Sequence, residues 1–216
     1  MQQLRIDFVS DISCPWCIIG LKSLEQALAR ASDALTAEIH FQPFELNPQM
    51  APEGEDIGEH LLRKYGASEE QGARTREMIR ARGAELGFTF DLQARSRIYN
   101  TFDAHRLLHW AGLQGRQHAL EMALFEAYFT HGHSPADHAV LVRAAGTTGL
   151  DTAEAAEVLA SGAYADAVRE REQLFQQRGI TAVPAVIVNG RHLISGGQPP
   201  EVFEQALRQI AAQTAT

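Results

Sequence analysis

The sequence predicts an α/β fold in which a long all-helical insertion separates two sheet-forming parts. Near both termini, apolar and polar residues alternate with the period of half-buried strands. From about residue 56 to residue 178, apolar residues recur at helical spacing instead. The predicted order is therefore β-α-β, a helical insertion, and α-β-β-α.

The N-terminal part predicts a strand, a helix and a second strand. Residues 4–9 alternate apolar and polar side chains, and residues 37–41 repeat the pattern. Between these two runs, Cys17, Leu21 and Leu24 recur at helical spacing. Because a helix that joins consecutive strands favours parallel pairing, we expect the two strands to be parallel.

The middle of the chain predicts a succession of helices. Apolar stripes over residues 104–111 and 120–127 predict two of them, and residues 163–178 predict a long amphipathic helix. Ser134-Pro135 has the N-cap and first-turn proline of a helix start. Asp151 predicts the N-cap of a further helix.

A β-hairpin and a closing helix are predicted near the C-terminus. Residues 185–188 and 191–194 are two β runs, and Asn189-Gly190 between them is the dipeptide that best fits a type I′ turn. We assign residues 1–50 and 163–216 to one sheet-containing domain and residues 51–162 to a helical insertion domain.

Composition excludes several classes of function. The chain has 216 residues, with 19 basic against 27 acidic side chains and a formal charge of -8. Phosphate backbones repel such a chain, so we expect no nucleic-acid partner. No apolar run approaches the roughly 18 residues of a membrane span, and the first residues lack a secretory signal. We expect a cytoplasmic protein with no membrane contact, and its oligomeric state stays open.

Both cysteines of the chain belong to one motif, Cys14-Pro15-Trp16-Cys17, at the end of the first predicted strand. Two cysteines cannot build a disulfide scaffold or a four-cysteine zinc site. Thiols three positions apart on a first helical turn can instead cycle between dithiol and disulfide. Two alternatives stay open: a pair of core cysteines, and half of a zinc site completed by histidines. We expect no metal.

The helix start predicts different roles for the two sulfurs. If Pro15 is the first helical residue, Cys14 is the N-cap, and its sulfur faces the unpaired N–H groups of the first turn. The helix dipole alone is a small contribution, so N–H···S⁻ bonds are expected to provide most of the stabilisation of a Cys14 thiolate. Cys17 lies on the apolar stripe, so we expect it to be buried, less ionised and the resolving cysteine.

Pro184 directly precedes the first strand of the predicted hairpin. Proline cannot donate a hydrogen bond to a sheet, so Pro184 marks the start of a strand. The peptide bond before it can be cis in a tight strand entry, while an ordinary trans bond is the alternative.

Together these features resemble a known family. The strand, CPWC motif and helix at the front, with Val183-Pro184 before a hairpin and terminal helix, resemble the thioredoxin fold. The helical insertion resembles the DsbA family of disulfide oxidoreductases. Four segments resemble its FrnE-like branch, which is related to 2-hydroxychromene-2-carboxylate isomerases and kappa-class glutathione transferases: residues 10–17, 44–48, 100–106 and 194–200.

The resemblance implies a site around the redox pair. It implies a cis peptide at Val183-Pro184 beside Cys14, with the Val183 backbone pairing with an extended substrate or with glutathione. The catalytic residues it implies are Cys14, Cys17 and Pro184. The turn before the last helix is a candidate carboxylate site, and we expect Trp16 to be an exposed apolar contact. The expected substrate-binding residues are Pro15, Trp16, Val183, Gly197 and Gln198.

Three functions are consistent with these residues. The leading hypothesis is an enzyme, a thiol-disulfide oxidoreductase that acts on protein or small-molecule thiols and disulfides. It needs no bound cofactor beyond the redox-active Cys14–Cys17 disulfide, and glutathione is a candidate co-substrate. The second is a glutathione-dependent isomerase or transferase of a small aromatic or polyketide-like substrate, although those enzymes usually carry Ser at the position of Cys14. The third is a non-enzymatic holdase or redox-reporting binding module.

Overall fold

The structure, a computed structural model, describes residues 1–51 and 53–214. Pro52 of the predicted insertion, and Ala215 and Thr216 of the predicted sheet-containing domain, lie outside the described residues. The chain divides into two compact units. The first unit comprises Met1–Phe44 and the chain from Arg171 onward, and the second comprises Glu45–Glu170.

Strands near both termini and helices between them give the chain an α/β fold. In the described part of the chain, the strands are β1 (Gln2–Ser10), β2 (Leu35–Pro43), β3 (Glu55–Asp56), β4 (Arg97–Ile98), β5 (Ala185–Val188) and β6 (His192–Ser195). The helices are α1 (Pro15–Arg30), α2 (Ile57–Tyr65), α3 (Glu69–Glu85), α4 (Phe102–Leu113), α5 (Gln117–Phe125), α6 (His138–Thr147), α7 (Thr152–Ser161), α8 (Ala165–Gln177) and α9 (Pro200–Thr214).

A four-stranded mixed sheet organises the first unit, with strand order β2-β1-β5-β6. β1 pairs in parallel with β2, as the connecting helix predicts, and antiparallel with β5. Leu4, Ile6 and Phe8 of β1 are fully buried on one face, where α9 packs against β1 and α1 packs against α9. Burial of each such side chain contributes about 1.5–3 kcal/mol. This core holds the C-terminal end of β1, from which the CPWC motif leaves the sheet.

The hairpin prediction is confirmed. β5 and β6 pair antiparallel from Val188 with His192 onward. The turn residues Asn189 and Gly190 have φ of 52° and 67°, the left-handed values that a type I′ turn requires and that Asn and Gly tolerate best. The Asn189 side chain also accepts a hydrogen bond from the Arg5 N–H at 3.0 Å, which ties the turn to β1.

The second unit is largely helical, as predicted, with two local differences. A short pairing of β3 with β4 interrupts the helical pattern, and residues Glu126–Thr130 form a π-helical turn after α5. A strand of two residues is too short to show an alternating sequence pattern, so the sequence does not predict this pairing. The N-cap prediction at Asp151 is confirmed, since its carboxylate accepts from the N–H groups of Ala153 and Glu154.

The helix start predicted at Ser134-Pro135 is wrong. α6 begins at His138, and Asp137 is its N-cap, accepting from the Ala139 N–H at 2.8 Å. Ser134 instead closes a turn: its hydroxyl accepts from the Ala136 N–H, and its carbonyl oxygen from the Asp137 N–H. Ser134 therefore accepts hydrogen bonds in a turn, and this turn places Asp137 at the N-terminus of α6.

A buried arginine holds the end of α7. Arg106, which is 3% exposed, donates to the carbonyl oxygens of Val158 and Ala163, which lie where a helix leaves carbonyls without partners. It also pairs with Asp103 at 2.6 Å. Although burial raises the pKa of Asp103, hydrogen bonds from His138 and Arg106 outweigh burial and hold that pKa below its ordinary value. This network stabilises the second unit.

Candidate active site

Cys14 occupies the N-cap position of α1. Its backbone is extended, with φ -93° and ψ 112°, and Pro15 is the first helical residue. Proline suits this position because its fixed φ is helical and because an N–H at the first turn has no intrahelical partner. The predicted helix start is confirmed, and the first helical turn lies between the two cysteines.

Asp11 shapes the loop that leads into Cys14. Its carboxylate accepts from the Ser13 N–H at 3.0 Å, and its carbonyl oxygen accepts from the Cys14 N–H at 3.0 Å. Asp11 is 1% exposed, so these bonds form in a medium of low dielectric, where they are strong. Sequence reasoning missed this role. The one available signal was an acidic residue directly after an apolar strand.

The Cys14 sulfur lies against the loop that precedes β5. Its thiol donates to the Val183 carbonyl oxygen, with an S···O distance of 3.7 Å. Cys14 is buried, with 4% of the residue exposed.

The N–H···S bonds expected at Cys14 are not formed. Within the described residues, no N–H of the first turn donates to its side chain. A protonated thiol is itself a donor, so a carbonyl oxygen suits it better than an N–H does. The backbone N–H of Asp11 reaches the Cys17 sulfur instead.

Cys17 is fully buried behind Cys14, and both cysteines are free thiols. Burial raises the pKa of Cys17 well above its ordinary value, and the hydrogen bond with Cys14 raises it further. The hydrogen bond from the Asp11 backbone acts in the opposite direction but is the smaller effect. The two sulfurs are therefore adjacent but unequal: Cys17 is fully buried, and its raised pKa keeps it protonated.

The Val183-Pro184 peptide bond is cis, the isomer that the resemblance implies. Pro184 is buried and its ring contacts α1: an added Cβ at Gly20 would come within 3.0 Å of the Pro184 Cγ atom. The Pro184 carbonyl oxygen accepts from the Gly196 N–H at 2.8 Å. Val183 is half-buried, and among the described residues its N–H has no hydrogen-bond partner. The structure thus brings Cys14, Val183 and Pro184 together and leaves a backbone donor available beside them.

The glycine-rich turn before α9 also contacts the start of α1. An added Cβ at Gly197 would lie 2.9 Å from the Trp16 carbonyl oxygen and 3.4 Å from the Gly20 nitrogen. Gln198 is half-buried, and its side-chain amide donates to the Ser195 carbonyl oxygen at 2.7 Å. Gly197 therefore lies directly beside the CPWC turn, whereas the Gln198 amide nitrogen bonds within its own loop.

The two residues between the cysteines are more enclosed than expected. Pro15 and Trp16 are both half-buried, so Trp16 is less exposed than expected. Close contact of Gly197 with the Trp16 backbone holds this residue against the turn before α9. Ser13, next to Cys14, is buried, and its hydroxyl has no partner among the described residues.

Within residues 1–51 and 53–214, no three His, Cys, Asp or Glu side chains are grouped so that they could hold a metal ion. None of the described helices combines the length and the apolar character that crossing a membrane requires.

The family model for the DSBA-like thioredoxin domain matches residues 5–208. The chain belongs to this family. The match extends over both parts of the sheet and over the helical segment between them, so the family has the α/β fold with a helical insertion that the sequence predicts.

Solved structures show the same relationship. A probable DsbA oxidoreductase from Streptomyces coelicolor is 38% identical, with a TM-score of 0.88 over 95% of this chain and 89% of that one. A 2-hydroxychromene-2-carboxylate isomerase is 15% identical, with a TM-score of 0.70 over 98% of both chains. The cytosolic disulfide reductase DsbM from Pseudomonas aeruginosa, solved with glutathione, is 18% identical, with a TM-score of 0.63 over 95% of this chain and 98% of that one. At these identities the last two show a shared fold.

The first prediction concerns the burial of Cys17 in a Cys14→Ser variant. Burial raises the pKa of Cys17 and keeps reagents away from it, so iodoacetamide at about pH 8 should modify the folded variant at least about tenfold more slowly than the same variant unfolded in guanidinium chloride. Mass spectrometry measures both rates. Equal rates in the folded and unfolded variant would contradict the burial of Cys17.

The second prediction concerns Gly197→Ala. The new Cβ would lie 2.9 Å from a backbone oxygen of the CPWC turn, so we expect a loss of about 1–3 kcal/mol of unfolding free energy and about tenfold slower disulfide exchange. Chemical denaturation and a chromogenic disulfide report the two quantities. Gly112→Ala in α4 is the control, because its nearest neighbour would be a Gln117 side-chain atom 3.5 Å away. Equal behaviour of the two variants would show that the close contact at Gly197 is unimportant.

Proposed function

We propose that this protein is a thiol-disulfide oxidoreductase that uses Cys14 as the attacking sulfur and Cys17 as the resolving sulfur. The contact of the Cys14 sulfur with Val183 carries the proposal, since it places the more exposed cysteine beside an unpaired backbone N–H. A substrate strand bound to that N–H would present its sulfur to Cys14. Membership of the DSBA-like family and the likeness to DsbM support this chemistry.

In the reductive direction, the Cys14 thiolate attacks one sulfur of a substrate disulfide. The substrate S–S bond breaks, one substrate sulfur leaves as a thiolate, and a mixed disulfide forms on Cys14. Cys17 then gives its proton to the departing second thiolate and attacks the Cys14 sulfur. The Cys14–Cys17 disulfide forms, and two electrons have passed from the dithiol to the substrate.

The raised pKa of Cys17 gives this order a physical basis. A thiol that stays protonated in the resting site does not compete with Cys14 for the substrate. Its proton is needed only when the second sulfur leaves, and the Asp11 backbone N–H next to Cys17 favours the thiolate at that step.

We propose glutathione as the thiol that returns the oxidised site to the dithiol. Two glutathione molecules supply the two electrons and leave as glutathione disulfide, so the cycle balances. The proposal is supported by the glutathione present in the DsbM structure. We further propose a cytoplasmic setting, the compartment that the name of DsbM gives, because reduced glutathione is abundant there.

The environment of Cys14 favours the reductive direction. A strongly oxidising pair needs a reduced form that is stabilised at its attacking sulfur. Here the Cys14 sulfur makes its hydrogen bond as a donor to Val183, and within the described part of α1 no first-turn N–H stabilises an anion on it. The dithiol therefore has little such stabilisation, and the disulfide is correspondingly less oxidising.

The central experiment compares two cysteine variants. Cys14→Ser should abolish insulin reduction, because no other sulfur of the chain reaches the substrate. Cys17→Ser should retain the first attack and accumulate a mixed disulfide between Cys14 and the substrate, detected by non-reducing electrophoresis and mass spectrometry. Full reductase activity in Cys14→Ser would refute the mechanism, and protection of substrates from aggregation by a double variant would indicate a holdase instead.

The reduction potential of the cysteine pair tests the direction of electron flow. Since no first-turn N–H in the described part of α1 donates to Cys14, we expect equilibration with a glutathione series to give about -200 to -270 mV, the range of glutaredoxins and thioredoxin, rather than about -120 mV. A value near -120 mV would reassign the protein as an oxidant. The Cys17→Ser variant, which cannot form the internal disulfide, is the blank.

A further inference from the structure

We propose that a second ligand site lies in the first unit, beside the middle of β1 and the turn of the β5–β6 hairpin, and that it binds a small organic dianion. The site is a pocket of about 300 Å³ lined by Arg5 and Asp7 of β1, by residues at the end of α8 and just beyond it, and by the hairpin turn at Asn189. Cys14 follows the C-terminal end of β1, whereas Arg5 lies about 17 Å back along the strand from Ser10. The site is thus separate from the proposed redox site.

One face of α8 and its continuation supplies the charged wall. Leu174, Phe175 and Arg178 follow Arg171 by three, four and seven residues, so the four side chains project from one side of the helix. Phe175 is buried, and the Arg178 guanidinium lies over its ring at 5.8 Å from the centroid. The wall therefore combines an apolar surface with an arginine at either end.

These two arginines are available to a ligand. Arg171 and Arg178 are exposed, and within the described residues neither has a carboxylate partner. Several other arginines are occupied: Arg63, Arg80 and Arg208 each pair with a carboxylate. Two unpaired guanidinium groups at one pocket, in a chain with a net charge of -8, are a local reversal of the overall charge.

The one carboxylate in the pocket does not cancel this charge. Asp7 is buried and accepts hydrogen bonds from Gln42 at 2.7 Å and from Arg5 at 3.0 Å. Arg5 and Asp7 therefore neutralise one another. Arg171 and Arg178 remain as two full positive charges that face the same cavity.

The chemistry of the lining selects the class of ligand. A guanidinium binds phosphate or carboxylate oxygens through two parallel N–H donors, and two such groups match an anion with two negative charges. Leu174 is half-buried at the pocket wall and offers a surface for a carbon skeleton. The volume is at the lower end of the range of small-molecule sites. A phosphate monoester or a dicarboxylate with an apolar body fits these features.

The test is a calorimetric titration of the full-length protein with phenyl phosphate, inorganic phosphate and glutarate. We expect saturable binding of phenyl phosphate, weakened at least about tenfold in an Arg171→Gln/Arg178→Gln variant. The control is Arg82→Gln/Arg143→Gln, which makes the same change in net charge at helices of the second unit. An Arg171→Lys/Arg178→Lys variant keeps the charge but loses the paired donors, so it should bind with intermediate affinity.

The three ligands distinguish the sources of the dianion. Preference for phenyl phosphate over glutarate assigns the site to phosphate esters, the reverse preference assigns it to dicarboxylates, and weaker binding of inorganic phosphate shows that the apolar wall contributes. In the unaltered protein, amide NMR signals of Asn189 and Gly190 should shift on titration while those of Cys14 and Cys17 do not. Absence of saturable binding, equal weakening in the control variant, or shifts confined to the cysteine end would each overturn the proposal.

Discussion

The close packing of α1 against two loops from the far end of the chain is the contact on which the candidate active site depends. Pro184 lies against Gly20, and Gly197 lies against the Trp16 backbone, at distances that leave no room for a side chain. These contacts bring the Val183 carbonyl oxygen to 3.7 Å from the Cys14 sulfur. Without them, CPWC would be a helix start with two thiols and no strand-entry backbone beside it.

The same packing separates the properties of the two sulfurs. Cys14, the N-cap of α1, is 4% exposed, while Cys17 lies one turn further in, where burial raises its pKa. A helix start therefore produces a pair of adjacent thiols that differ in burial. The proposed order of attack and resolution follows from this difference without any additional group.

Features determined by a few neighbouring residues could be predicted from the sequence. The start of α1 at Pro15 and the turn at Asn189-Gly190 follow from the backbone preferences of proline, asparagine and glycine, which act locally. The β3–β4 pairing and the role of Asp11 depend on contacts that no local pattern records. The donors expected at Cys14 illustrate the same limit, because the partner that the thiol bonds, Val183, is 169 residues away.

The distribution of the first unit along the chain has a consequence for synthesis. β1 and β2 can pair as soon as the first 43 residues have emerged, since they are neighbours in both sequence and sheet. β5, the other partner of β1, is made only after the entire second unit. A ribosome-bound chain thus carries the cysteines early and the loop at Val183-Pro184 late, so the proposed redox site stays incomplete until β5 has been made.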